Sequence, residues 1–238
     1  MTKYFLFDLD GTILKMDIDE FVHGYFKALG AYFVDLCDPK ALVGWVMKST
    51  DKMVMDNSDD NNFDTFFRYF VEISGVDGEI YKKRFDKFYE EKFDNLKGSC
   101  EGNKELIEAI HLLKAAGFGI VVATNPIFPM IAVEHRLGWT GMSMSDFEYI
   151  TAMEVCTTCK PNPEYFKDIL KKINAAPDQC VMVGNDPLED LAASEAGIKT
   201  WLITDCIMDR SPNSYKADYE GSGEDFLKYI KDLLNEVK

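Results

Sequence analysis

The sequence is short of positive charge and of long apolar runs. It contains 26 Lys and Arg residues against 41 Asp and Glu residues, which gives a net charge of −15 at pH 7. Nucleic acids and anionic membranes attract clustered Lys and Arg, so this balance argues against both as partners. No run of about 18 apolar residues occurs, and no basic segment leads into an apolar stretch near the N-terminus. We therefore expect a cytoplasmic protein without a membrane span.

Disulfide frameworks and internal repeats are also missing. The six cysteines are scattered through 238 residues, and a chain of this length can be stable without disulfides, so we expect reduced thiols. The composition, 47% hydrophobic and 13% aromatic, is typical of a globular protein. Its acidic surface and self-contained pattern lead us to expect a monomer.

The segment from Tyr4 to Thr12 is the clearest motif in the chain. Its apolar residues predict a strand buried on both faces, which ends at Asp8 and Asp10, followed by Gly11. In an extended chain the two carboxylates point to the same side. At the carboxyl end of a parallel strand they would face a ligand crevice.

Residues 15–97 follow the three-and-four spacing of amphipathic helices. We expect one helix from about 19 to 36, a shorter one over 40–47, a polar loop over 51–62, and two further helices. Ten of the 17 phenylalanines lie in this region, which is enough apolar surface for a small core of its own. The segment is therefore interpreted as an inserted helical domain at residues 15–97, within a domain formed by residues 1–14 and 98–238.

From Gly102 onward, strands alternate with helices. Glycines close several of the helices, a helix is expected over 126–137, and Asn162-Pro163 is a typical helix start. A further helix is expected over 188–196 and a last one from Ser222. This alternation predicts an α/β fold with a doubly wound, Rossmann-like parallel sheet.

Polar residues follow several of the predicted strands. Asp8 and Asp10 follow the first, Thr124 and Asn125 a later one, and Asp186 and Asp190 another, while Lys160 precedes a helix. Each is weak evidence alone, but together they suit phosphoryl transfer. Carboxylates can hold magnesium or act as nucleophile, a lysine neutralises developing charge, and a hydroxyl orients phosphate oxygens.

On these residues the chain resembles the haloacid dehalogenase-like hydrolase superfamily. The four signature motifs occur in order as Asp8-Leu9-Asp10-Gly11-Thr12, Thr124-Asn125, Lys160, and Gly184-Asn185-Asp186-Pro187-Leu188-Glu189-Asp190. The resemblance covers nearly the whole chain, since the helical insertion is similar to the family's first type of cap domain.

The resemblance implies a role for each motif residue. Asp8 would be the nucleophile, Asp10 the general acid and then base, and Lys160 the cation that contacts Asp8 and phosphate. Thr124 and Asn125 would bind the substrate phosphate. Magnesium would be held by Asp8, the backbone carbonyl of Asp10, and Asp186.

Two details refine these roles. Dehalogenases of the superfamily lack an acid at the position of Asp10, because a halide leaving group needs no proton. Asp10 therefore favours phosphoryl transfer. Asn185 stands where many members carry an acid, so the metal role moves to Asp186, with Asp190 as the alternative ligand, and Asn185 is expected to cap the following helix.

The sequence thus predicts a magnesium-dependent phosphatase of a small phosphorylated metabolite. A sugar-phosphate mutase would use the same groups but pass the phosphoryl group to a second substrate. A receiver-type signalling domain would also present acids, a hydroxyl and a lysine at strand ends, but Asp10 and the insertion argue against it.

Overall fold

The computed structural model describes residues 2–208 and 216–236. Within them, six parallel strands form one sheet and two short strands form an antiparallel pair. The strands of the parallel sheet are β1 (Tyr4–Phe7), β4 (Gly119–Val122), β5 (Tyr149–Ile150), β6 (Cys180–Gly184), β7 (Lys199–Ile203) and β8 (Tyr219–Gly221), in the order β5-β4-β1-β6-β7-β8. The short pair is β2 (Leu14–Lys15) with β3 (Glu101–Gly102).

Strand β1 lies at the centre of the sheet, and its register positions the site. Phe7 is level with Val122 of β4 on one side and with Val183 of β6 on the other. The residues that follow these three strands therefore emerge at the same edge, where parallel α/β sheets bind ligands.

Helices cover both faces of the sheet. They are α5 (Lys104–Ala115), α6 (Met130–Thr140), α7 (Pro163–Lys172) and α8 (Gly223–Glu236). Because side chains alternate along a strand, Phe5 and Phe7 contact Phe226 of α8, whereas Leu6 belongs to a second buried cluster with Tyr165 of α7. The α/β fold class with a parallel sheet buried on both faces is confirmed.

The inserted segment forms four helices, α1 (Ile18–Tyr32), α2 (Pro39–Val54), α3 (Asn62–Ser74) and α4 (Gly78–Glu91). An Asp or Asn side chain caps the N-terminus of each. The β2–β3 pair brings the two ends of the insertion together, since Lys15 lies opposite Glu101. The buried apolar residues of the insertion continue those of the sheet face that holds Phe5 and Phe7. The division into core and cap domains at 15–97 stays a prediction.

Several helix bounds differ from those expected from the sequence. Helix α1 ends at Tyr32 rather than near Leu36, and Arg84 of α4 binds the Tyr32 carbonyl oxygen at 3.1 Å. Helix α2 continues to Val54, through charged residues that had suggested a loop, because it packs along α3. Helix α6 begins only at Met130. The expected 188–196 helix is a 3-10 helix at Leu191–Ala196.

None of the described helices is both long and apolar enough to cross a membrane. The six cysteines are all free.

Candidate active site

Three charged side chains meet at the carboxyl ends of β1 and β6. The Lys160 Nζ lies 2.9 Å from Oδ1 of Asp8 and 2.6 Å from Oδ1 of Asp190. Lys160 and Asp190 are each 1% exposed and Asp8 is 7% exposed. Oδ2 of Asp190 accepts the backbone N–H of Asp186 at 2.9 Å. The structure therefore links four of the predicted site residues by direct contacts.

Burial and neighbouring charges act against each other in this cluster. Burial raises the pKa of Asp8 well above its usual value, Lys160 opposes the rise, and Asp190 and Asp10 add to it. For Lys160, burial alone would lower the pKa, but Asp190 and Asp8 outweigh it and hold the ammonium protonated. Lys160 is therefore the positive centre around which the acids are held.

Two glycines allow close approaches in the site, one by the acid Asp190 and one by the amide of Asn185. Gly184 ends β6, and a Cβ at this position would collide with the carboxylate of Asp190. Gly11 has φ of +83° and would place a Cβ against the side chain of Asn185. A glycine is needed at position 11 for its backbone conformation as well as for space.

Asp10 is paired with an arginine that the motifs did not indicate. Nη1 of Arg136 donates to Oδ2 of Asp10, and Nε donates to the carbonyl oxygen of Ala132 at 3.1 Å. The guanidinium lies 4.6 Å above the ring of Phe128 and is fully buried. The only indication in the sequence that Arg136 is buried was its position beside Ala132 and Val133 on the apolar face of α6.

Asp10 nevertheless remains reachable from outside. Its side chain is 20% exposed and lines a cleft of about 490 Å3 together with Gly11, Met16 and Asn185. Burial raises the pKa of Asp10, although Arg136 and Lys160 act in the opposite direction. Oδ1 of Asp10 is buried without a hydrogen-bond partner, so an acceptor is available at this point.

Asn185 does not cap the following turn, and the expectation from the sequence was wrong. Its Oδ1 accepts the hydroxyl of Thr12 at 3.0 Å and its Nδ2 donates to the Cys206 carbonyl oxygen at 2.7 Å. The cap is Asp186, whose Oδ1 accepts the backbone N–H groups of Leu188 and Glu189 at 2.9 and 3.1 Å. Asn185 instead ties the loop after β1 to the loop after β7.

Thr124 and Asn125 follow β4 at the same edge of the sheet. The Thr124 carbonyl oxygen accepts the hydroxyls of Thr151 at 2.7 Å and Tyr165 at 2.8 Å, which fixes the backbone there. Asn125 donates to Glu189 at 2.9 Å, and its Oδ1 is buried without a partner. Nothing in the sequence indicated Tyr165, and Glu189 was placed in the fourth motif without a role.

The inserted helices contact this edge through Asn62, the first residue of α3. Its Nδ2 donates to the carbonyl oxygen of Pro126 at 3.2 Å and contacts the Sγ of Cys159 at 3.2 Å. These two partners adjoin Asn125 and Lys160 in the chain. A single buried side chain of the insertion therefore holds two of the loops that carry site residues.

Four carboxylates at this edge are of the chemical type that binds divalent cations. Asp8, Asp10, Asp186 and Asp190 outnumber the two buried cations, Lys160 and Arg136. All the donors are hard oxygens, which suits magnesium. Among the described residues, no three acidic, histidine or cysteine side chains are grouped closely enough to hold a metal ion by themselves. An ion bound here would complete its coordination with water and substrate, as magnesium commonly does.

Most of the chain matches a known protein family. A model of the haloacid dehalogenase-like hydrolase family matches residues 2–197. The chain belongs to this family. The resemblance drawn from the four motifs is confirmed, and the protein is a haloacid dehalogenase-like hydrolase.

Individual proteins show how far the similarity extends. A phosphoglycolate phosphatase of Colwellia psychrerythraea is 34% identical over 98 residues, which are 41% of this chain and 42% of that relative. The match thus spans less than half the relative's length. The pyrophosphatase PpaX of Bacillus mycoides is 23% identical over 230 residues, 96% of this hydrolase and 94% of PpaX.

A solved structure shows the same fold over the whole chain. The 2-haloacid dehalogenase from Pseudomonas syringae superposes with a TM-score of 0.65 at 19% identity, covering 98% of this chain and 100% of that one. At this identity the likeness concerns the fold alone.

Proposed function

We propose that this hydrolase is a magnesium-dependent phosphatase that forms an aspartyl-phosphate on Asp8. The observation that carries the proposal is the 2.9 Å contact between Asp8 and Lys160, whose ammonium also binds Asp190. The names of the relatives, a phosphoglycolate phosphatase and a pyrophosphatase, support the same reaction class.

Asp8 would attack phosphorus through Oδ2. Its Oδ1 is occupied by Lys160, whereas Oδ2 has only a 3.4 Å contact with the Thr12 hydroxyl. Lys160 would also contact the phosphate oxygens, because negative charge develops on them as the bond to the leaving group breaks. Asp190, with Oδ1 bound to Lys160 and Oδ2 to the Asp186 N–H, would hold Lys160 in place.

Asp10 would first protonate the leaving alkoxide and then take a proton from the attacking water. A raised pKa keeps a carboxyl group protonated at higher pH, as the acid step requires. Asp10 also separates this reaction from dehalogenation, in which the leaving halide needs no proton. Arg136, which binds Oδ2 of Asp10 and does not line the cleft, would orient the Asp10 carboxyl group.

The phosphate would lie against Thr124 and Asn125. Both follow β4, beside Asp8, and the carbonyl oxygen of Thr124 is held by two hydroxyls. Because this loop is already fixed, little conformational entropy is lost when it orients the phosphate oxygens.

Magnesium would be held by the carboxylates of Asp8 and Asp186 and by the backbone carbonyl oxygen of Asp10. Both oxygens of Asp190 already have protein partners, so Asp190 would position Lys160, and Asp186 stays the direct ligand predicted from the sequence. When bound, the ion supplies positive charge that lets an anionic substrate approach several acids.

The substrate would be a small phosphorylated metabolite. The cleft beside Asp10, about 490 Å3, has the size of a small-molecule site. The net charge of −15 disfavours nucleic acid as a substrate. A monomeric, cytoplasmic enzyme remains the prediction from composition.

A screen of phosphorylated metabolites with magnesium tests this proposal. Free phosphate is measured for the native chain and for Asp8→Asn, with the fold of both checked by circular dichroism. Release by the native protein alone is expected. Isomerisation of a sugar phosphate without release would indicate a mutase, and a stable phosphoprotein without turnover would indicate a receiver-type domain.

A further inference from the structure

A second cavity, of about 310 Å3, lies between the inserted helices and the chain around residues 127–131. Its lining shares no residue with that of the cleft beside Asp10. Its size is at the lower end of that found for small-molecule sites in proteins. The cavity is therefore a separate candidate binding site.

The inner walls of the cavity are apolar and mainly aromatic. Tyr25, Phe66, Phe85 and Tyr89 are each less than a tenth exposed. The two tyrosine hydroxyls bind each other at 2.9 Å, and burial raises the pKa of Tyr25 to about 12. The wall thus offers neutral rings, and its two buried tyrosine hydroxyls are paired with each other, which suits an apolar or aromatic body.

The charged residues that line the cavity are all acidic, although the ammonium of Lys82 lies 4.8 Å from the ring centroid of Phe63, a lining residue. Asp51, Asp86 and Glu154 line it, and no Lys, Arg or His does so among the described residues. Glu154 is partly committed, since its carboxylate accepts the Met130 N–H at the start of α6. Asp51 and Asp86 form no ion pair within the part of the chain that the structure describes. Two rim carboxylates are therefore free to attract a cation.

We infer that this cavity binds a small amphipathic cation, an aromatic or aliphatic body that carries a protonated amine. The apolar body would fill the space between the rings and the ammonium would stay at the rim, near Asp51 and Asp86. Aromatic faces also attract ammonium groups directly. An anion of the same shape would be repelled. The inference concerns binding alone and does not depend on the proposed phosphatase reaction.

Three probes of one shape and different charge test the inference. Naphthylethylamine, naphthylethanol and naphthylpropionate are titrated with the full chain by fluorescence anisotropy, without magnesium or substrate. The amine is expected to bind at least about fivefold more tightly than the alcohol, and the acid more weakly than either. Equal affinities, or no binding of any probe up to its solubility limit, would overturn the inference.

Two variants with matched controls locate the site. Val46 lines the cavity and is 6% exposed, so Val46→Phe should fill part of it and weaken amine binding more than about tenfold. Val34→Phe, at an exposed position outside the lining, should have no effect. Unchanged amine binding in a folded Val46→Phe protein would contradict the assignment.

The charge and the separateness of the site are tested in the same assay. Asp86→Asn should weaken amine binding about two- to fivefold and leave alcohol binding unchanged, whereas Asp232→Asn on α8 should change neither. Inorganic phosphate is a probe for the cleft beside Asp10 and should not displace the amine. Displacement by phosphate would show that the two cavities act as one site and would overturn the inference.

Discussion

Replacement of Arg136 by methionine should remove the group that orients Asp10. The methionine keeps much of the side-chain volume but loses the donors to Asp10 and to the Ala132 carbonyl oxygen, and the cation above Phe128. Because one partner of a buried ion pair is lost, we expect the free energy of unfolding to fall by roughly 3 kcal/mol. The control is Arg68→Met, since Arg68 is half exposed and pairs with Asp56 at the surface.

The catalytic loss should depend on the leaving group. Positioned general acids contribute about 100-fold or more to rates, so Arg136→Met should lower kcat for an alkyl phosphate about 100-fold. The loss for p-nitrophenyl phosphate should be less than about tenfold, because nitrophenolate leaves with little need for a proton. Arg136→Lys keeps a donor and should recover part of the alkyl phosphate rate.

A double-mutant cycle separates orientation of Asp10 from a general structural effect. The enzymes compared are native, Arg136→Met, Asp10→Asn and the double variant, all assayed at a temperature where circular dichroism shows them folded. If Arg136 acts through Asp10, its replacement should cost little in the Asp10→Asn background. Equal losses for both leaving groups, together with additive effects, would refute the reasoning.

Three further predictions concern the other site residues. Asp8→Asn should abolish turnover while the protein remains folded; residual hydrolysis at native rate would exclude Asp8 as nucleophile. Excess chelator should stop phosphate release without changing the circular dichroism spectrum, and added magnesium should restore it; full activity in chelator would contradict the metal assignment. Gly184→Ala should destabilise the protein by about 1–3 kcal/mol and reduce activity, because the added Cβ would meet Asp190. The control is Gly138→Ala, in open space on α6, which should be neutral or slightly stabilising. Thermal unfolding measures both variants.

The sequence predicted the parts of the fold and site that depend on local pattern. The buried strands that precede Asp8, Thr124 and Gly184 were evident from their apolar runs, and parallel pairing brings their ends together. Lys160 follows none of these strands directly, and its contacts with Asp8 and Asp190 came from the structure. The roles of these residues in catalysis remain proposals.

Features that depend on distant contacts could not be predicted in this way. Arg136 reads as an ordinary helix residue until the fold places Asp10 opposite it, 126 positions away in the chain. Asn185 could have capped a helix, but Thr12 and Cys206 bind it instead. Strands of two or three residues, such as β2, β3 and β8, are too short to show a period.

Trapping the covalent intermediate tests the central claim most directly. The protein is quenched with borohydride during turnover, which reduces an aspartyl-phosphate to homoserine, and the modified residue is located by peptide mass spectrometry. We predict homoserine at Asp8 only when substrate and magnesium are both present. Rapid phosphate release without homoserine at Asp8, or homoserine at another acid, would contradict the account.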